Sequence, residues 1–282
     1  MSMNATSRIW TLRVVLVAIF IFMAFLALFP FYALLLASLK PPTELLRYGL
    51  NLRLEFSVMN LDNYLYLFTT GKIYFTWFFN SVIITVLNTA LTLVTCSMVG
   101  YGLAKYQFKG RTAVFVLVLF VMMVPVEIIM LPLYKMAVAF RMLNTYWGVV
   151  IPFAVSPFIV FYFRQFAVSI PKDYMDAGRI DGCTEYGIFF RIMVPLMAPA
   201  FGAMAILASL NSWNSFIWPL IVLRTNEKFT LPIGLSSLLT PYGNNYNILL
   251  SGAIVSVLPL LILFVMFQRY FISGLTVGGL KG

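Results

Sequence analysis

The sequence predicts an all-α, polytopic membrane protein with six transmembrane helices. Three observations point there. Hydrophobic residues make up 62% of the 282, charged residues only 10%, and long stretches carry no charge at all. A hydrocarbon core takes about 20 apolar residues to cross as a helix, and the uncharged runs from Val14 to Leu39, Ile73 to Ala104, Met142 to Phe163, Ile192 to Leu223 and Phe229 to Gln268 all exceed that. Arg111 to Lys135 is a further span, interrupted only by Glu127.

Taken in order, the expected spans are 12–39, 77–104, 112–138, 146–168, 196–223 and 247–269. The first is read as an uncleaved helix, because its uncharged run is longer than the apolar part of a secretory signal. Between the first two spans, Pro41 to Trp77 reads as an external segment with short helical pieces around Asn60 to Leu67. Pro125, Pro132, Pro152 and Pro157 predict kinks or unwound turns in the third and fourth spans. Pro232, Gly234, Pro241 and Gly243 make the stretch before the last span an external loop.

An even number of spans places both termini on one side. With the termini inside, Arg8, Arg13, Lys105, Lys109, Arg111, Arg164, Lys172, Arg179, Arg191, Arg269 and Lys281 give eleven internal bases of the 19, against eight outside. The turn from Lys105 to Arg111 has three bases and no acid, which favours that orientation. The net charge of +10 is scattered over loops and tails, so lipid headgroups and orientation explain it, and no nucleic-acid partner is expected.

Several chemistries are excluded. The chain has no histidine and no clustered carboxylates, which removes the usual general bases and metal ligands, so no catalytic or metal site is assigned. Cys96 lies within a span and Cys183 outside one, so no structural disulfide is expected. No GxxxxGKS/T phosphate loop occurs, so this chain does not itself cradle ATP in the usual way.

One island breaks the apolar pattern. Pro171 to Pro195, PKDYMDAGRIDGCTEYGIFFRIMVP, holds four acids and three bases. It reads as a short polar helix stopped at Asp181-Gly182, where glycine accepts positive φ, followed by a second short helix that Thr184 can cap. Such a knuckle suits a cleft on a partner.

At membrane depth, Ser81, Thr85, Asn88, Thr92 and Thr95 share one face of the second span, fit either for interhelical hydrogen bonds or for a wet pathway wall. In the fifth span, LNSWNSFIWPL sets Asn211, Asn214, Ser215 and Trp218 along one face, a set of amides and an indole that suits sugar hydroxyls and a flat sugar ring. An ionised Glu127 in mid-membrane is costly, so it must face protein, water or a helix end, as a pathway or gate residue or a structural one.

The 171–195 segment resembles the EAA loop of ABC-importer permeases, with Asp176-Ala177-Gly178 where that family has Glu-Ala-Ala. GYGLAKYQFKGR at 100–111 and the Trp-Asn…Trp-Pro stretch resemble the sugar-importer subgroup, and SLKPPTELLRYGLNL, FTLPIGLSSLL and QRYFISGLTVGG extend the likeness over nearly the whole chain. The chain is thus identified as resembling type I permeases of the maltose-type carbohydrate group, forming one permease domain over 1–282, with a coupling segment at 171–195 and a cytoplasmic tail at 270–282.

The resemblance implies a prokaryotic inner-membrane subunit that imports a sugar, such as an arabino-oligosaccharide, by alternating access. It implies a second homologous permease, a dimer of ABC ATPase subunits that bind the ATP, and an extracytoplasmic solute-binding protein. Coupling to the ATPase would fall to Asp176, Ala177, Gly178, Asp181, Gly182, Glu185, Phe189 and Phe190, with Thr276, Gly278, Gly279 and Lys281 as tail contacts. Glu127, Asn88, Asn211, Asn214 and Trp218 are candidate pathway or sugar contacts, and Tyr242, Asn244 and Asn245 candidate contacts to the binding protein. The shorter Asp176 and the weaker helix former Gly178 would loosen an ion pair with the ATPase. Two rivals remain. A secondary sugar transporter would have to rely on Glu127, and an integral-membrane glycosyltransferase would need an acid cluster that occurs only in the knuckle.

Overall fold

The computed structural model describes residues 5–49, 52–240 and 243–279. Helices α1 (Ala5–Ser38), α4 (Lys72–Lys105) and α15 (Tyr246–Gly279) are 34 residues each. Each contains a stretch long and apolar enough to cross a membrane.

Three further spans are broken: the third and fourth at prolines expected to kink them, and the fifth against the expectation of a continuous helix. The predicted 112–138 span is α5 (Arg111–Met122) and α6 (Val126–Ala139), bent by 104°. The 146–168 span is α7 (Tyr146–Val150) with a 3-10 turn to Phe153, then α8 (Pro157–Ser169), bent by 47°. The 196–223 span ends early: α12 (Ala198–Trp213) stops, Asn214 to Phe216 unwind, and α13 (Ile217–Val222) follows. Proline explains two of these breaks, since Pro125 precedes α6 and Pro157 opens α8, where its missing N–H costs no helical bond. Pro132, by contrast, sits inside an unbroken α6.

The remaining elements are short. They are α2 (Pro42–Tyr48) and α3 (Asp62–Thr69) in the first connection, then α9 (Asp173–Ile180), α10 (Glu185–Ile188), a π turn (Phe189–Met193) and α11 (Val194–Leu196) leading to α12. α14 (Leu231–Ser237) is followed by a two-stranded antiparallel ladder, β1 (Leu239–Thr240) with β2 (Gly243–Asn244). These are the only strands among the described residues.

The chain divides into two compact units. The first comprises the described residues of Met1–Tyr74 and Ser237–Val257. Its hub is the buried Asn63, whose amide donates to the carbonyls of Ser38 and Lys40, both at 2.8 Å, and accepts from Asn247 at 3.0 Å. Ser251 Oγ donates to the Asn63 carbonyl at 3.3 Å. An amide buried in an apolar surrounding is tolerated only when so satisfied. Most of α1, from Trp10 to Tyr32, stays exposed within the chain, as expected of a helix that lipid or another subunit covers.

The second unit, the described residues of Phe75–Ser236 and Leu258–Gly282, holds two apolar cores. One joins Cys96, Tyr101 and Leu103 of α4 to Phe163 of α8, Met175 of α9, Ile188 of α10 and Ala200 of α12. At Gly100 the α4 and α8 backbones nearly touch, for an added Cβ would lie 2.7 Å from Phe163 Cβ and 2.8 Å from the Arg164 nitrogen. Small residues allow this approach where no hydrophobic force draws helices together in lipid. The other core gathers Ile84, Val150, Trp218, Val222 and Ile233.

Candidate coupling knuckle and membrane-depth cavity

The knuckle folds from local rules. Asp173 and Asp176 occupy the first turn of α9, the favourable end for negative charge. α9 ends in a Schellman arrangement: the Cys183 N–H reaches the Gly178 carbonyl at 2.9 Å and the Gly182 N–H reaches Arg179 at 3.0 Å. Gly182 has φ of 77°, the left-handed value the sequence predicts for this stop. Thr184 then caps α10, its hydroxyl accepting from the Gly187 N–H at 3.1 Å.

Arg179 braces the two helices. One of its nitrogens donates to Asp176 at 2.8 Å, while two others grip Glu185 at 2.8 and 3.2 Å. Tyr106, from the turn after α4, donates its hydroxyl to Glu185 as well, and Tyr101 stands edge-on to Tyr106 with ring centres 5.4 Å apart. The Arg179 guanidinium, and then the Tyr106 hydroxyl, hold the Glu185 carboxyl below the usual range. Burial first, and the Glu185 bond second, push the Tyr106 phenol up. Lys105 donates to the Ile170 carbonyl and ties the end of α4 to the entry of the knuckle.

Beside this brace lies a groove of about 500 Å³ lined by Asp181, Gly182, Thr184, Tyr186, Phe190 and neighbours. Ile180 and Tyr186 are 86% and 72% exposed, an apolar presentation at odds with a polar loop left in water. Among the predicted coupling residues, Asp176, Ala177, Asp181, Gly182, Glu185 and Phe190 are exposed, whereas Gly178 and Phe189 are buried against their own chain. Gly178 leaves the space that the end of Ile192 fills, 2.5 Å from where a Cβ would stand. Tyr106 and Tyr186 escaped the sequence reading; the Tyr106 contact to Glu185 spans 79 residues and leaves no local signature.

The second site is a cavity of about 590 Å³. It brings together Asn88, Asn211, Asn214 and Trp218, four of the five predicted pathway residues, with Thr92, Ser212 and Ser215. Asn214 and Ser215 reach it because α12 unwinds there, not because one helical face carries them. The Asn88 Oδ1 is buried without a partner. Asn214 donates to the Leu210 carbonyl at 2.9 Å. Trp218 is buried, its indole N–H held by the Gly148 carbonyl at 3.1 Å, so it forms wall more than open platform. Glu127 is not among the lining residues; it is exposed in the first turn of α6, a position that suits its charge.

The hydroxyl face of α4 makes the interhelical hydrogen bonds foreseen for it, and part of it lines the cavity. Thr92 and Thr95 donate to the carbonyls of Phe153 and Ala154 at 3.2 and 2.6 Å, groups that the α7–α8 break frees from helical bonding. Ser81 accepts from the Leu231 N–H at 2.7 Å. Asn88 and Thr92 also face the cavity.

Of the predicted binding-protein contacts, Asn245 caps α15, its side chain accepting from the Ile248 N–H at 3.2 Å. Asn244 lies on β2, and Tyr242 lies outside the described residues. α15 continues through Gly279, so Thr276, Gly278 and Gly279 are carried on a helix, and Lys281 lies outside the described residues.

A bundle of broken apolar helices with an exposed, self-braced knuckle is the architecture of a membrane transport subunit. The chain belongs to the family described as binding-protein-dependent transport system inner membrane component, whose model matches residues 96–277. It is 61% identical to the arabinooligosaccharides transport system permease protein AraQ of Bacillus subtilis (strain 168), over 96% of each chain. It is 57% identical to the protein of the same name from Halalkalibacterium halodurans, over 93% of this chain and 94% of that one. Its fold is that of a chain in the crystal structure of a bacterial ABC transporter involved in import of the acidic polysaccharide alginate, with TM-score 0.81, 22% identity, and coverage of 96% and 99%.

Proposed function

We propose that this chain is one of two permease subunits of an ATP-driven importer for an oligosaccharide of the arabino-oligosaccharide kind. The observation that carries the proposal is the cavity in which Asn88, Asn211 and Asn214 converge, with an unpartnered amide oxygen among them. Amides both donate and accept, as sugar hydroxyls require, and a buried acceptor with no protein partner stabilises a hydroxyl that supplies one. The 61% identity to AraQ supports the substrate class.

In this reading both termini and the knuckle face the cytoplasm. A solute-binding protein delivers the sugar, and separate ATPase subunits hold the nucleotide. Their closure pushes on the groove at Asp181, Gly182, Tyr186 and Phe190. Arg179, Glu185 and Tyr106 then pass the movement as a rigid body to α4 and, through the π turn, to α12. The helix breaks at Met123–Pro125, Ala154–Ser156 and Asn214–Phe216 are the places where the bundle can open on one side and close on the other.

Uptake of labelled arabino-oligosaccharide into cells lacking the chain, restored by its expression, tests this. Uptake should stop on ATP depletion and survive collapse of ion gradients. The reverse pattern would establish a gradient-driven carrier instead.

A further inference from the structure

We infer that Arg164 and Arg111 form a binding site for the phosphate headgroup of an anionic phospholipid, on the face of α5 and α8 nearest the knuckle. Arg164 lies in the last turns of α8, and its guanidinium carbon stands 3.7 Å from the centre of the Phe115 ring. Phe115 in turn stacks on Phe161 of α8, centres 6.2 Å apart and planes 13° from parallel, which locks the arginine's position. Arg111 sits one helical turn before Phe115 on the same face of α5, so its charge adjoins that of Arg164.

Neither arginine has an acid. The ion pairs among the described residues involve only Arg179, and the Arg164 Nε is buried with no acceptor. Arg111 makes one long bond, 3.3 Å, to the Ala104 carbonyl. Two neighbouring guanidiniums with unmet donors, one of them oriented by an aromatic stack, are an arrangement that a phosphodiester completes by charge-assisted, forked hydrogen bonds.

The rest of α5 says which phosphate. The helix buries none of its own residues, and Val114, Leu117, Phe120 and Val121 are exposed apolar side chains continuing away from the arginines. A ligand that meets both parts is an amphiphile with an anionic head and an acyl chain, not a free anion. Assignment of this site to the cytoplasmic leaflet rests on the orientation proposed above; an inverted orientation would change the leaflet and leave the lipid contact intact.

The test places the full chain, with the subunits that accompany it on purification, in phosphatidylcholine bilayers containing phosphatidylglycerol, and counts retained lipids by native mass spectrometry. The wild type should hold phosphatidylglycerol in preference to phosphatidylcholine. Arg164→Gln and Arg111→Gln should each weaken that retention about fivefold, the effect of removing one basic residue near an anionic surface. Arg164→Lys, which keeps the charge but loses the fork and the stack, should recover only part of it, and phosphatidylcholine retention should not move. If Arg164→Gln does not assemble, Arg111→Gln, at a partly exposed position, gives the same reading alone. Unchanged phosphatidylglycerol retention in the assembled variants overturns the site, as does complete displacement of the lipid by inorganic phosphate.

Discussion

The knuckle and the cavity lie in the same unit of the chain but are built on opposite principles. Within about 20 residues the knuckle satisfies itself: cap, Schellman stop and a doubly held Arg179 leave little free to rearrange. The cavity is assembled from α4, α6, α7, α8, α12 and α13, and it keeps an amide oxygen unsatisfied. On the proposed function, the knuckle is the part that transmits force and should be stiff and complete, whereas the cavity takes and releases a ligand and should be incomplete until it arrives. Asp176 illustrates the first half. Its charge is already met by Arg179, so a partner's base would join an existing pair instead of creating one.

Changes at the two places should therefore separate. The largest effect is expected from Gly182→Val. A β-branched residue held at φ of 77° is strained by about 1–2 kcal/mol or unwinds the stop, so uptake should fall more than about tenfold with sugar affinity and membrane insertion unchanged. Uptake assays alongside membrane-fraction blots measure both. Asn88→Leu is the mirror image: half-saturation for sugar should rise about five- to tenfold, while ATP hydrolysis by the assembled importer keeps its coupling. If Asn88→Leu instead uncoupled hydrolysis, the two regions would not be separable.

A smaller loss is expected from Tyr106→Phe, which removes one exposed, charge-assisted bond to Glu185. Uptake should drop about two- to threefold, and a Tyr106→Phe/Glu185→Gln cycle should show the two changes are not additive.

The pH response follows in sign. Glu185 titrates below its unfolded value, so the brace contributes fully above the ordinary glutamate range near ~4.3 and is lost only as pH falls through the depressed value. Knuckle hydrogen exchange should thus show no step between about pH 6 and 8 from this group.

The smallest effect belongs to Gly178→Ala, which restores the residue usual in the EAA pattern. The flexible tip of Ile192 at 2.5 Å must swing aside and the Ile188 Cγ1 at 3.2 Å must give slightly, while alanine favours helix by up to about 1 kcal/mol, so uptake should stay within about twofold of wild type. A severe loss would mean that the Ile192 contact, not helix stiffness, governs coupling.

Much of the membrane architecture was legible in the sequence because hydrocarbon imposes a simple demand: long uncharged runs must be helices that satisfy their own backbone. The knuckle was legible for a similar reason, since caps and a positive-φ glycine act over three or four residues. What the sequence could not reveal was where helices break and who supports the freed carbonyls. Thr95 bonding Ala154 and Tyr106 bonding Glu185 are meetings of residues far apart in the chain.

The particular amides were readable, but their convergence was not. Asn214 and Ser215 were expected on a continuous helix and reach the cavity only because that helix stops. Glu127, the most conspicuous charge at apparent membrane depth, lies at a helix start outside the cavity lining. By itself, then, the sequence determined which stretches are long and apolar enough to cross and the local shape of the polar elbow, both governed by short-range hydrogen bonding and transfer to lipid. Only tertiary packing decided which polar groups stay unpaired, because satisfaction of a buried group depends on its neighbours in space and not on its neighbours in the chain.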